Sequence, residues 1–216
     1  MGYKKYLVLV VLFVLPITVY LFFASGVNQF AKLPKLGHEE IELSSFVDLG
    51  GEMLNSRGKI TVLGFFGRDV LSHKAEIFNL AHKIYKKNYL FEDFQMVFLT
   101  TKDQESAVVT LLNEFEQIAD PVNVKVGFGQ LVDLKYIHSL LNSPHALDES
   151  GASSFVYIID RNSNLRGRVE IEQQQFGIGY NAANYATVNN EMNDDIKVIL
   201  AEYRLALKKY QTSRKK

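Results

Sequence analysis

The chain has 216 residues, 22% charged and 47% hydrophobic, a composition that suits one folded domain with an appendage. Its 24 basic and 24 acidic residues cancel, so the global positive field that nucleic-acid binders carry is absent. It has no cysteine, which excludes disulfides, thiol redox chemistry, a cysteine nucleophile, thiolate metal sites and a thioether lipid anchor.

Tyr6 to Ala24 forms a run of nineteen residues without a charge. As a helix rising ~1.5 Å per residue it spans roughly 28 Å, close to the ~30 Å hydrocarbon core of a bilayer. Pro16 lies inside the run, and lipid-embedded helices tolerate proline. Lys4 and Lys5 precede it and no basic residue follows before Lys32, so the positive-inside bias puts the N-terminus in the cytoplasm. The domain then lies on the periplasmic side of the inner membrane. Tyr3, Tyr6 and Tyr20 suit the interfacial zones. A cleaved signal peptide is the other reading, since Ala24-Ser25-Gly26 supplies small residues near the right place. The run exceeds the ~7–15 residues of a signal core, which favours a retained anchor. The expected organisation is a cytoplasmic segment 1–5, a transmembrane helix 6–24, a spacer and domain lead-in 25–58, a domain 59–210 and a basic tail 211–216, read as a solvated end.

Lys59-Ile-Thr-Val-Leu-Gly-Phe-Phe-Gly67 is rich in β-branched and aromatic residues and predicts a buried strand. Ile77, Leu80, Ala81 and Ile84 recur at helical spacing, which predicts a helix over 72–88 capped by Ser72. Phe94 to Thr101 predicts a second strand, and Val108, Leu111, Leu112, Phe115 and Ile118 mark one face of a helix after Asp103. Val122, Val124, Val126 and Phe128 alternate, predicting a third strand, and Asp133 to Leu141 a short helix. Ser154 to Asp160 and Leu165 to Ile171 read as a hairpin around the polar turn Asp160–Asn164. A last helix from about Asn193 to Tyr210 would turn Ile196, Ile199, Leu200, Tyr203, Leu207 and Tyr210 inward. Alternating βα units followed by a hairpin and a helix predict an α/β fold, a mixed sheet with helices on both faces. A thioredoxin-like fold satisfies that order.

At this point the chain resembles the SCO/SenC family of membrane-anchored thioredoxin-fold proteins. The resemblance covers roughly residues 30 to 210. It is carried by Lys59–Gly67, similar to the strand running into the family's Cys-x-x-x-Cys-Pro motif, and by Phe155–Arg168, similar to its strand-Asp-x-x-Gly hairpin. Lys32-Leu-Pro-Lys-Leu-Gly37 is similar to a stretch ahead of the domain in bacterial members. The resemblance implies a copper chaperone or thiol reductant that helps assemble the CuA centre of cytochrome c oxidase. On that alignment the two cysteines fall on Arg68 and Ser72, the proline on His73 and the copper-binding histidine at about Ala152. Arg68, Ser72 and Ala152, which stand at the three ligand positions, cannot hold Cu(I), a soft ion that wants thiolates, and Arg68 adds a fixed positive charge. The family's activity is therefore not carried over.

Of the histidines His38, His73, His82, His138 and His145, only His73 and His145 fall where loops could meet at the end of the sheet. With Asp69 they could form a zinc or copper(II) site, which requires the three side chains to lie within a few ångströms; solvated loop residues are the alternative. Arg68 and Asp69 read as an ion pair or as an anion-binding point. Gly127-Phe-Gly129 and Gly177-Ile-Gly179 lack the spacing and lysine of phosphate loops, and no Gly-x-Ser-x-Gly elbow occurs. Gln173 to Thr187 is polar, aromatic and glycine-rich, so Phe176, Tyr180 and Tyr185 are either contact anchors or a loop packed on its own domain. No catalytic residue, cofactor or metal is assigned. The expected function is a non-catalytic, membrane-tethered accessory or scaffold protein with a protein partner, by resemblance the respiratory oxidase or its assembly factors. A cysteine-independent metal-binding protein is the alternative.

Overall fold

β1 (Ile60–Gly67) and β2 (Phe94–Thr101) are buried at all eight positions, as continuous apolar runs require when a sheet is covered on both faces. The structure, a computed structural model, describes residues 2–25, 33–37, 39–170 and 175–214. Side chains at 5, 7, 21–25, 169–170, 175–177 and 207–214 lie outside that description, as do His38 and residues 215–216. Two compact units result, Met1–Ala31 and Lys32–Lys216.

The first unit contains α1 (Gly2–Ser25), with Pro16 inside it. Val8 to Leu15, Ile17 and Val19 are all exposed along it. Among the described residues no helix is long and apolar enough to cross a membrane, positions 5, 7 and 21–25 of α1 standing outside that set.

In the second unit the sheet continues with β3 (Val124–Gly129), β4 (Ala152–Ile159), β5 (Leu165–Arg166) and β8 (Tyr180–Asn181). The order is β3-β2-β1-β4-β5, with β8 also on β4. β1, β2 and β3 are parallel; β4 runs antiparallel to β1, β5 and β8. β6 (Arg168–Glu170) and β7 (Gln175–Gly177) form a separate ribbon. Strand alternation divides the interior in two. Ile60, Val62 and Phe66 of β1 join Val156 and Ile158 of β4 on one face. That face packs on α2 (Lys74–Leu80), α4 (Glu105–Glu116) and α6 (Asn193–Arg214). Leu63 and Phe65 join Tyr157 and Ile159 on the other, under Leu134 and Ile137 of α5 (Leu131–Leu140).

Several local expectations are corrected. The helix after β1 is not regular: α2 passes through a π turn, Ala81–Tyr85, into α3 (Lys86–Asn88), and Asn88 Nδ2 donates to the Ile84 carbonyl there. Ser72 does not cap it. His73 occupies the cap position without a capping bond, and the Ser72 amide and hydroxyl donate to Asp69 instead. The third strand starts at Val124, because Pro121–Asn123 is a 3-10 turn capped by Asp120, which leaves Val122 exposed. Residues 33–58 contribute to the core rather than only leading to it: Leu33, Ile41, Leu43, Phe46 and Leu54 are buried. Along α6, Ile196, Ile199 and Leu200 are buried and Tyr203 is partly so, as expected; the side chains of Leu207 and Tyr210 lie outside the description.

Candidate functional site

The carboxyl end of β1 is the corner where a sheet of this kind leads into its first helix. Gly67 sits there at φ +50, and a Cβ on it would lie 2.3 Å from the Ser150 carbonyl oxygen, so only glycine fits. The Arg68 amide donates to that same carbonyl, and the Thr100 hydroxyl donates to the Gly67 carbonyl at 2.6 Å. Across β1 and β4, Phe66 pairs with Ala152, while Asp148 Oδ1 accepts from the Ala152 amide and the Ser150 hydroxyl. Burial alone would raise the Asp148 carboxyl, but these bonds outweigh it and hold it below the usual carboxylate range. Of the positions onto which the resemblance maps cysteines and histidine, Arg68 and Ala152 lie at the end of this strand pair, while Ser72 follows beyond Asp69, to which it is bonded.

His73 is the partly buried imidazole of this corner. Its ring lies on Phe66 with centroids 5.3 Å apart, and its Nδ1 is 3.4 Å from Glu76 Oε1. That contact is not aligned as a hydrogen bond, so Nδ1 is a buried nitrogen without a partner among the described residues. Glu76, itself buried, accepts from the Ser154 hydroxyl at 3.1 Å. Sequence reasoning missed Glu76 because a lone glutamate on a helix reads as surface; its i, i+3 spacing from His73 is the signal that points to it.

Arg68 and Asp69 form no ion pair with each other among the described residues. Asp69 accepts from Ser72, whereas Arg68 lines an open depression of about 400 Å³ with Thr101, Lys102, Asp103 and Gln130. Asp103 is held below the usual carboxylate range first by the Thr101 hydroxyl, then by Gln104, with Arg68 adding its field.

The three-residue metal centre is not assembled. Ser154 faces Glu76 and His73 on one side of β4, while the next residue, Phe155, stacks on His145 on the other. The sheet thus separates His73 from His145, and no group of three His, Asp or Glu among the described residues is arranged to hold a metal. His145 belongs instead to a polar pocket in which Tyr157 donates to Ser143 at 2.9 Å and lies 3.3 Å from His138 Nε2. Burial holds both imidazoles below the ordinary histidine range. Depressed histidines keep their full contribution to stability above the unfolded value of about 6.5 and lose it as pH falls through the folded values. The Tm is therefore expected to drop as pH is taken from about 7.5 to about 5, with a flatter slope in His138→Gln/His145→Gln. Parallel slopes in thermal melts of the two proteins would contradict this assignment.

The aromatic loop is also partly internal. Tyr180 is buried and donates to Asp195 at 2.7 Å, and Asp195 binds Arg168 as well. Burial first, and then Asp195, push the Tyr180 hydroxyl far up. Tyr185 is exposed under Lys83, whose Nζ lies 4.3 Å from the ring centroid; the side chain of Phe176 lies outside the description.

No protein-family model and no curated protein matches the chain. Solved structures do. A putative electron transfer protein from Aquifex aeolicus VF5 superposes with a TM-score of 0.51 at 14% identity, over 77% of this chain and 98% of that one. BsSco, a member of the Sco family of cytochrome c oxidase assembly proteins, gives 0.49 at 13% identity over 77% and 94%. Yeast Sco1 gives 0.46 at 16% identity over 76% and 99%. With the β1-α2-β2 unit, the antiparallel β4-β5 pair and the closing α6 around one mixed sheet, the topology decides the matter. The fold is thioredoxin-like. What is particular to this thioredoxin-like domain is the corner after β1: a His73–Glu76–Ser154 cluster around the buried Glu76 and an outward Arg68, with no thiol.

Proposed function

We propose that the chain is a non-catalytic, membrane-tethered accessory protein built on a Sco-like scaffold, serving a respiratory cytochrome c oxidase or its assembly. The observation that carries this reading is the corner at the end of β1. That corner is built by Gly67, the paired Phe66 and Ala152, and the Asp148 loop, and it offers Arg68, Ser72 and Ala152 where Cu(I) or a dithiol would need sulfur and imidazole. A scaffold with those groups replaced acts through its surface. The similarity of Lys59–Gly67 and Phe155–Arg168 to the SCO/SenC motifs supports the oxidase as the partner.

The tether in this reading is α1. Its length of 24 residues, about 36 Å of helix, and its uncharged run from Tyr6 to Ala24 support a single crossing. Lys4 and Lys5 orient it with the N-terminus in the cytoplasm and the domain in the periplasm. A tether of this kind raises the local concentration of the domain near a membrane-bound partner without any new contact. The test is co-purification of the full-length protein from membranes, with metal analysis of the same sample: oxidase or assembly components are expected, without a stoichiometric metal.

A further inference from the structure

The balanced charge of the chain hides a strong asymmetry. Residues 204–216 hold Arg204, Lys208, Lys209, Arg214, Lys215 and Lys216 and no acidic residue, so the remainder carries the matching excess of acid. Among the described side chains the last buried position of α6 is Leu200; Arg204, Leu205 and Ala206 are exposed, and the helix continues to Arg214. Arg204 lies over Phe91 at 4.4 Å, which fixes the base of this segment to the domain.

The base coincides with the point at which the chain enters the domain. The Leu33 amide donates to Glu202 Oε1 at 2.9 Å, and Arg166 binds both the Leu33 carbonyl and Glu202 Oε2. From Ser25 to Leu33 the chain can reach at most about 29 Å. With α1 in the bilayer, as proposed above and on which this inference rests, the start of the basic segment is held within that reach of the lipid headgroups. Screening over about 8 Å at physiological salt confines the attraction to close approach, and a tether of this reach lets the cationic segment come down onto the anionic surface.

We infer that the basic stretch 204–216, which begins on α6, docks on the anionic surface of the bilayer that holds α1, forming a second, electrostatic attachment. The cation count supplies the complementarity, and the clamp of Leu33 to Glu202 supplies the location. The occupant is a lipid surface bearing phosphate headgroups, not an acidic protein.

The absence of cysteine allows a clean test. Full-length protein carrying Gln211→Cys, labelled with an environment-sensitive fluorophore, is placed in nanodiscs of zwitterionic phosphatidylcholine or of the same lipid with phosphatidylglycerol. A second sample labelled at Leu12→Cys reports on α1. The accessibility of the Gln211→Cys label to a water-soluble quencher is expected to fall at least about threefold with about 30 mol% anionic lipid and to recover in about 0.5 M salt. Lys208→Gln/Lys209→Gln/Arg214→Gln is expected to abolish the change. A shielded Leu12→Cys label with an indifferent Gln211→Cys label overturns the docking and leaves the anchor standing. A Leu12→Cys label open to the quencher overturns the anchor and the docking with it. A Gln211→Cys label that responds only to added oxidase, in either lipid, overturns the lipid assignment in favour of a protein contact.

Discussion

Arg166→Met is expected to destabilise the domain by about 3–5 kcal/mol, the cost of removing one partner from a buried ionic cluster. The Arg166 side chain is 6% exposed, and its partners Asp160 and Glu202 are 1% and 15% exposed. It holds three groups at once: Asp160 Oδ2 at 3.0 Å, Glu202 Oε2 at 2.8 Å and the Leu33 carbonyl at 2.7 Å. Asp160 Oδ1 keeps the Asn162 amide and both Asn164 donors after the substitution, but Oδ2 is left with no partner. Adding Glu202→Gln to Arg166→Met is expected to return part of the loss, because it removes one uncompensated carboxylate. The pH dependence has a definite sign. Burial would raise the Asp160 carboxyl, but the bonds from Asn164, Arg166 and Asn162 outweigh it and hold it below the usual range. Its contribution is therefore present above the unfolded value of about 3.9 and is lost as pH falls through the folded value. Wild type and Arg166→Met should converge in stability as pH drops below about 4. Urea unfolding at neutral and acid pH measures both effects, and a loss below about 1 kcal/mol at pH 7 would contradict the account.

Phe66→Ala is expected to cost about 3–5 kcal/mol, the lost transfer energy of a buried ring plus the cavity it leaves. Phe66 is fully buried, its centroid 5.1 Å from Phe98, and it lies against Gly64, where a Cβ would meet the ring at 3.2 Å. It is also the surface on which the His73 ring rests. The substitution therefore removes the support of the His73–Glu76–Ser154 cluster along with core volume. His73→Ala leaves Phe66, Phe98 and Ser154 in place and should cost much less. A midpoint shift in urea with an unchanged slope identifies a stability effect; a shift of similar size in both variants would mean that the cluster, not the ring, holds the corner. Against a total stability of about 5–15 kcal/mol for a domain, either Arg166→Met or Phe66→Ala removes a large fraction.

Strands and helix faces were legible because period-2 and period-3.6 patterns are local. Ile60–Gly67 and Phe94–Thr101 announce burial by composition, and Val108, Leu111 and Phe115 mark the inner face of α4. The π turns at Ala81–Tyr85 and Thr187–Met192 were not legible, since one wider turn barely disturbs apolar spacing. The relation of His73 to His145 depends on which face of β4 each loop meets. Ser154 and Phe155 are neighbours in sequence but point to opposite sides, and that alternation separates the two histidines. Tyr180 looked like a surface anchor because nothing local reveals its bond to Asp195, fifteen residues away on α6. The role of residues 33–58 was similarly hidden. Leu33 and Ile41 gain their meaning only from Glu202 and Ser163, far along the chain.

The central claim is that the scaffold serves an oxidase through its surface and without a metal of its own. The most direct test is to extract the tagged full-length protein in mild detergent and to analyse partners by mass spectrometry and metals in the same eluate. The account predicts near-stoichiometric oxidase subunits or assembly factors, with copper and zinc far below one equivalent. About one equivalent of copper or zinc that is lost on His73→Ala would contradict it, and so would an eluate without any oxidase component.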